Sequence, residues 1–168
     1  MTHVKRLQNA AEALERFLAR ARRLGDTLGP ILWQLPPRWQ ADPIRLEQFA
    51  ALLPADLSHA FEFRDPRWFV PPVREVLERH GLNCCIFDMP ELSCPFWITS
   101  DVVYLRFHGC GAIYAGRYGR EGLQPWADRV QQWLAEGRHI YAYFNNDAWA
   151  NAVKDAQRLR SLLLDSPA

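Results

Sequence analysis

The residues of this chain best suited to chemistry stand at the ends of short apolar runs. Residues 102 to 109 read Val-Val-Tyr-Leu-Arg-Phe-His-Gly, and alternation along a strand puts Val103, Leu105 and Phe107 on one face and Tyr104, Arg106 and His108 on the other. A permanently charged guanidinium beside an imidazole that titrates near neutral pH can hold an anionic group and move a proton. The run from His59 to Arg64 repeats the arrangement, with Phe61 and Phe63 on one face and Glu62 and Arg64 on the other. Asp88 closes the run Asn83 to Asp88, Gln34 lies near the end of Ile31 to Leu35, and Asn145 and Asn146 follow His139 to Phe144. The expected roles are Glu62, Asp88 and His108 in proton transfer, Arg64, Arg106 and Arg117 as anion holders, and Gln34, Tyr118, Asn145 and Asn146 as binding groups.

Each of these has a plainer reading. Glu62 and Arg106 also suit an internal ion-pair network, because buried charges must be paired wherever they sit. His108 alone suits an ordinary hydrogen-bonded histidine, and Cys110 suits a small residue in a glycine-rich loop. That loop, Gly109 to Gly119, holds four glycines with Arg117 and Tyr118, and its amides are candidates for a phosphate. Asp147, expected at the start of the last helix, would cap amides there and repel an anion. His108, Glu62, Asp88 and His3 are suitable ligand types for a divalent metal, yet no ligand-spacing motif joins them, so no metal or cofactor is implied.

These residues need elements to position them. Residues 10 to 24 carry Leu14, Phe17, Leu18, Ala21 and Leu24 at helical spacing before Gly25. Asp42-Pro43 has the form of a helix start, with Leu46, Phe49, Ala50 and Leu53 as its stripe, and Phe69, Val73, Val76 and Leu77 make the next before Gly81. Residues 89 to 101 read as an irregular loop. Leu123, Trp126, Val130, Trp133 and Leu134 predict a helix closed by Gly137, and Trp149, Ala152, Val153, Ala156, Leu159 and Leu163 predict the last. Strands separated by helices argue for parallel βαβ units whose right-handed crossovers bring all C-terminal strand ends to one rim. Polar residues on a second face suit a barrel interior, but five strands cannot close an eight-stranded barrel that takes about 250 residues. The expected architecture is therefore α/β and TIM-barrel-like, an incomplete barrel of about five βα units forming a single domain over 1–168.

Composition narrows the partners. Lys and Arg total 20 against 19 for Asp and Glu, a net charge of +1 that gives no general pull on nucleic acid or anionic lipid. No apolar run approaches the length of a membrane span and the N-terminus lacks a signal core, so a cytoplasmic protein is expected. Cys84, Cys85, Cys94 and Cys110 show no Cys-x-x-Cys spacing and read as buried thiols rather than disulfides. An unpaired strand edge predicts self-association.

Leu-Pro-Pro at 35 to 37, Glu-Phe-Arg at 62 to 64 with Trp68, Leu-Arg-Phe-His-Gly at 105 to 109, Tyr-Ala-Gly-Arg-Tyr at 114 to 118 and Tyr-Phe-Asn-Asn-Asp at 143 to 147 resemble the YecE-like family, domain of unknown function 72. The resemblance runs over nearly the whole chain and implies a TIM barrel without an established reaction. It also implies that relatives are longer at the N-terminus, with three further strands, Thr2-His3 matching only the end of the third. A hydroxyl residue common in relatives is replaced by Gly119, which puts a local cap for the following helix in doubt. The expected function is that of an enzyme acting on a small polar or anionic substrate, a sugar or phosphoester, at the strand-end rim. The alternatives are a non-catalytic binding or interaction module, and a truncated inactive family member.

Overall fold

The computed structural model describes residues 1–164. Its helices are α1 (Ala11–Ala21), α2 (Pro43–Ala50), α3 (Pro71–Arg79), α4 (Gly119–Ala135) and α5 (Asn151–Leu164). Its strands are β1 (Ile31–Gln34), β2 (His59–Glu62), β3 (Asn83–Asp88), β4 (Val102–Phe107) and β5 (His139–Phe144). All pairings are parallel and follow chain order from β1 to β5, so the α/β architecture expected from the sequence is present. The chain divides into two compact units, the first comprising residues 1–84 and 97–100, the second 85–96 and 101 onward.

The first unit is built on aromatic packing. Asp42 accepts a hydrogen bond from the Arg45 amide at 3.0 Å and Pro43 follows it, the side-chain cap and N-terminal proline that start α2. Leu46, Phe49 and Ala50 of α2 and Val73, Val76 and Leu77 of α3 are buried, as their spacing predicts. Trp33 meets Phe17 and Phe49 edge-on at 5.5 and 5.3 Å, and Phe63 stacks on Trp68 at 5.1 Å. Such pairs add to area burial because ring edges and faces carry opposite partial charge. Helix α1 is shorter than its apolar spacing suggests; a 3-10 segment, Arg22–Thr27, succeeds it, with Gly25 at φ 54°. Leu24 is consequently exposed.

The second unit holds the C-terminal half of β3 together with β4, β5, α4 and α5. Leu123, Ala127, Val130 and Trp133 form the buried line of α4, while Leu134, expected in that line, is exposed. The last helix departs further from expectation. Its buried line is Ala152, Asp155, Leu159 and Leu162, with Asn151 beside it, whereas Val153 is exposed. Trp149 precedes the helix at φ 60° and is 87% exposed. The apolar stripe was predicted one step around the helix because a carboxylate was not counted as a core residue. Cys84 and Cys85 are buried, Cys94 is partly buried and Cys110 is exposed, with no disulfide among the described residues. No helix among the described residues is long and apolar enough to cross a membrane.

Candidate functional site

In the first unit, Gln34 and Glu62 are register partners at the C-terminal ends of β1 and β2. Glu62 is fully buried, and its Oε1 lies 2.5 Å from Arg64 Nε. The Leu35 amide donates to the Glu62 carbonyl at 2.9 Å, fixing the backbone from which that carboxylate projects. A buried carboxylate needs this partner, since desolvation otherwise favours its neutral form. His3 lies at an exposed position against Thr2, Oγ1 to Nδ1 3.1 Å.

In the second unit, strand register decides which predicted residues share a face. Phe87 pairs with Arg106 and Asp88 with Phe107, so Asp88 lies on the face of Phe107 and Leu105, and Arg106 on the face of Phe87. Asp88 was expected near Arg106 and His108; the register turns its side chain to the helix-packed face, away from Arg106, while His108 remains its electrostatic neighbour. The cause is the composition of β3, Asn-Cys-Cys-Ile-Phe-Asp, whose two faces are both apolar and give no parity signal. Trp126 of α4 reaches Asp88, its Nε1–H donating to Oδ2 at 3.2 Å. Burial pushes the Asp88 carboxyl above the ordinary aspartate range, and the Trp126 bond and the neighbouring His108 only partly offset it. A hollow of about 550 Å³ opens beside this carboxylate, with Phe87, Glu91, Cys94, Phe96 and Trp126 among its lining residues.

His108 is fully buried at the end of β4, its amide donating to the Asp88 carbonyl at 2.8 Å. Its ring meets Phe87 edge-on at 6.2 Å and Tyr114 at 5.6 Å. Arg106 Nη2 donates to Asn145 Oδ1 at 3.0 Å, and the Asn145 amide donates to the Phe107 carbonyl at 2.7 Å. Arg106, His108 and Asn145 are thus set by the ladder of β4 and β5.

The glycine-rich loop is closed on itself. The Cys110 amide donates to the Ala115 carbonyl at 3.0 Å, and the Tyr114 amide to the His108 carbonyl at 2.5 Å. Gly109 and Gly116, at φ 123° and 77°, sit where a Cβ would run into backbone oxygens of Ala112 and Ala115, and of Cys110. Tyr118 points its hydroxyl back at Gly109, donating to the carbonyl at 3.0 Å and accepting from the amide at 3.1 Å. Burial raises the Tyr118 phenol well above its usual range.

A residue absent from the sequence-based candidates organises this region. Asp155 of α5 is fully buried and accepts from the amides of Tyr118 at 3.0 Å and Gly119 at 3.1 Å, the first turn of α4. Asn146 Nδ2 donates to Asp155 Oδ2 at 2.8 Å and to the Gly116 carbonyl at 2.9 Å. Arg117, half exposed, holds Nε 3.9 Å from Asp155 Oδ1. The cap that Gly119 cannot supply locally comes from another helix, and the amides considered for a phosphate already carry a carboxylate. The available signal was Asp155 standing at i+3 and i−4 to Ala152 and Leu159, inside an apolar stripe. Asp147 makes no side-chain cap at the start of the last helical segment. Among the described residues, no three His, Cys, Asp or Glu side chains converge as a metal seat.

Comparison with known proteins agrees with the fold. The chain is 22% identical over 163 residues to the UPF0759 protein YunF of Bacillus subtilis, an alignment covering 81% of this chain and 58% of YunF. It therefore spans less than two thirds of that curated relative. The crystal structure of a DUF72 family protein from Thermotoga maritima superposes with a TM-score of 0.87 at 26% identity, over 98% of this chain and 70% of the other. One from Enterococcus faecalis gives 0.82 at 20% identity, over 96% and 68%. The model of the family "Protein of unknown function DUF72" matches residues 1–167, and the chain belongs to that family.

Proposed function

We propose that this chain carries part of the substrate site of an enzyme acting on a small polyhydroxylated substrate, a sugar or sugar derivative, at the C-terminal end of β3 and β4. The observation that carries this reading is Asp88. It is a partly buried carboxyl, raised in pKa and held by Trp126, that opens onto a hollow walled by Phe96 and Trp126. A concave site with a few polar groups and a perturbed acid is the expected form of a small-molecule site. Aromatic rings take the apolar C–H faces of a sugar, and Asp88 and Glu91 accept from its hydroxyls. In this reading Asp88 serves as the proton donor or acceptor and His108 as a proton carrier. Arg106 and Asn145 lie on the other face of β4, bonded to each other, and stand outside this hollow. Glu62 with Arg64, and Arg117, Tyr118 and Asn146 around Asp155 and Gly109, serve partners within the chain; Gln34 lies at the end of β1 in register with Glu62. The capped amides at the start of α4 favour the sugar over a bare phosphate, because Asp155 would repel a second anion there.

The test is a binding titration of the 168-residue chain against neutral monosaccharides, phosphomonoesters and inorganic phosphate, followed on the Trp126 indole N–H resonance. A sugar that shifts this resonance, with affinity falling tenfold or more in Asp88→Asn, supports the site; tenfold corresponds to about 1.4 kcal/mol. Binding that Asp88→Asn leaves unchanged overturns it. Stoichiometric binding without conversion would favour the non-catalytic recognition module.

A further inference from the structure

We infer that the hollow beside Asp88 seats a protonated amine, which makes the substrate of the site proposed above an amino sugar; the sugar ring rests on that reading, the amine on the lining of the hollow alone. All of that lining belongs to the second unit, from the end of β3, the loop that follows it and α4. Asp88 and Glu91 contribute carboxylates to it, and no lysine, arginine or histidine among the described residues does. The donors in the wall are already engaged. The Trp126 indole N–H is given to Asp88 Oδ2 at 3.2 Å, and the Cys94 thiol is directed at the Cys85 carbonyl at 3.7 Å. Asp88 Oδ1 has no donor among the described residues, and the Ser93 hydroxyl turns to suit either kind of partner. A sugar hydroxyl both donates and accepts, whereas an ammonium only donates. A lining of acceptors without a free side-chain donor therefore fits the ammonium better than any other sugar substituent.

The apolar wall agrees. Phe96 and Trp126 meet at 59° with ring centroids 5.6 Å apart, so the hollow has a corner built from two π systems, which attract a cation where water is excluded. Arg129 Cζ stands 4.2 Å over the Phe96 ring without lining the hollow, so a cation on an aromatic face is already a feature of this wall. Glu91 is the third residue of the turn Met89 to Leu92, closed by the Leu92 amide on the Met89 carbonyl at 3.4 Å. Its φ of 71° is one that glycine or asparagine suits better, yet the position carries a charged side chain that lines the hollow. An anionic substituent would meet these two carboxylates with no counter-charge in the lining. His108 neighbours Asp88 from outside the hollow, and Arg106 lies on the other face of β4.

The test titrates glucose, glucosamine and ethylammonium separately into the 168-residue chain, at a pH where both amines carry their proton, and follows the Trp126 indole N–H resonance. Glucosamine is expected to bind about tenfold more tightly than glucose and to lose that advantage as salt is raised. In Glu91→Gln, which keeps an acceptor oxygen and drops the charge, the ratio of the two affinities should fall toward one. Glu91 is exposed in its turn, so this variant keeps the fold, as its amide spectrum would show. Equal binding of glucose and glucosamine overturns the inference and leaves the sugar site standing. So does a preference for glucosamine that Glu91→Gln and Asp88→Asn both leave intact, since the amine would then sit elsewhere. A response to ethylammonium with neither sugar binding supports the amine seat and overturns the sugar reading. No response to any of the three overturns both.

Discussion

Strand β5 is the more apolar in sequence, yet β2 is the one that is buried. Every residue of β2 is buried, between a layer of Phe49, Phe61, Phe63 and Trp68 and a buried Glu62 paired to Arg64. Not one residue of β5 is fully buried. The same contrast runs through the units that hold them. The first is held by ring packing, with one ion pair at the strand ends. The second has ring contacts of its own, Phe107 meeting Phe144 at 4.4 Å and Trp126 at 5.0 Å, and adds a buried polar network in which Asp155, Asn146 and Tyr118 fix a loop and a helix start. Apolar packing is tolerant in detail and strong in sum, whereas a buried polar network depends on every member. The two regions should therefore fail in different ways.

Trp68→Ala is the severest way to test the aromatic side of this contrast. Trp68 is fully buried, stacks on Phe63 and donates its Nε1–H to the Trp39 carbonyl at 2.5 Å. The loss should be about 3–5 kcal/mol in urea unfolding. Asp155→Ala tests the polar side. Leaving two helix-end amides and the Asn146 amide without their acceptor should cost about 2–3 kcal/mol, with exchange at Tyr118 and Gly119 rising before global unfolding. Asp155→Asn, with a single acceptor oxygen, should recover only part of this.

A pH series sharpens the comparison. His59 is buried in the first unit, its Nδ1 accepting from Trp33 Nε1 at 3.2 Å, and burial holds its pKa below the ordinary histidine range. The unfolded chain therefore binds the proton more readily, so stability present above about pH 6.5 falls as pH is lowered toward the folded-state value. The loss is about 1.4 kcal/mol per unit of pKa depression, and His59→Gln should flatten it in a urea-midpoint series. Asp88 has the opposite sign. Its raised pKa means that stability is fullest below the unfolded aspartate value, near pH 4, and declines as pH rises through the folded-state value. Asp88→Asn should raise the urea midpoint at pH 7, with the difference vanishing in acid. A side chain that costs stability at neutral pH while it improves ligand binding is the behaviour expected of a functional group.

Much of the fold could be read from the chain because its signals are local. Asp42-Pro43 marks a helix start through its own cap, and the run Asn83 to Asp88 is bounded as expected. The faces of β4 follow from its alternation, so Arg106 and His108 were separable from Leu105 and Phe107. What escaped notice depends on partners distant in sequence. Asp88 faces Trp126 across 38 positions, and a strand apolar on both sides does not announce which face its terminal carboxylate will take. Asp155 caps a helix 36 positions earlier, where no spacing rule applies. Trp149 looked like a core residue by type, but it lies outside the helix whose stripe it seemed to join.

The closed loop between Gly109 and Gly116 bears on how this protein can change over generations. Its two glycines sit where backbone leaves no room for a side chain, while Ile113 and Tyr114 at its tip are about half exposed. The frame resists replacement, and Tyr114, at φ 60° with its ring against His108, is constrained as well, which leaves the Ile113 side chain as the freer position. Variation can therefore accumulate at Ile113, next to the tyrosine that packs on His108, without disturbing the backbone that presents the histidine. Substitution at such a tip leaves the scaffold beneath it in place.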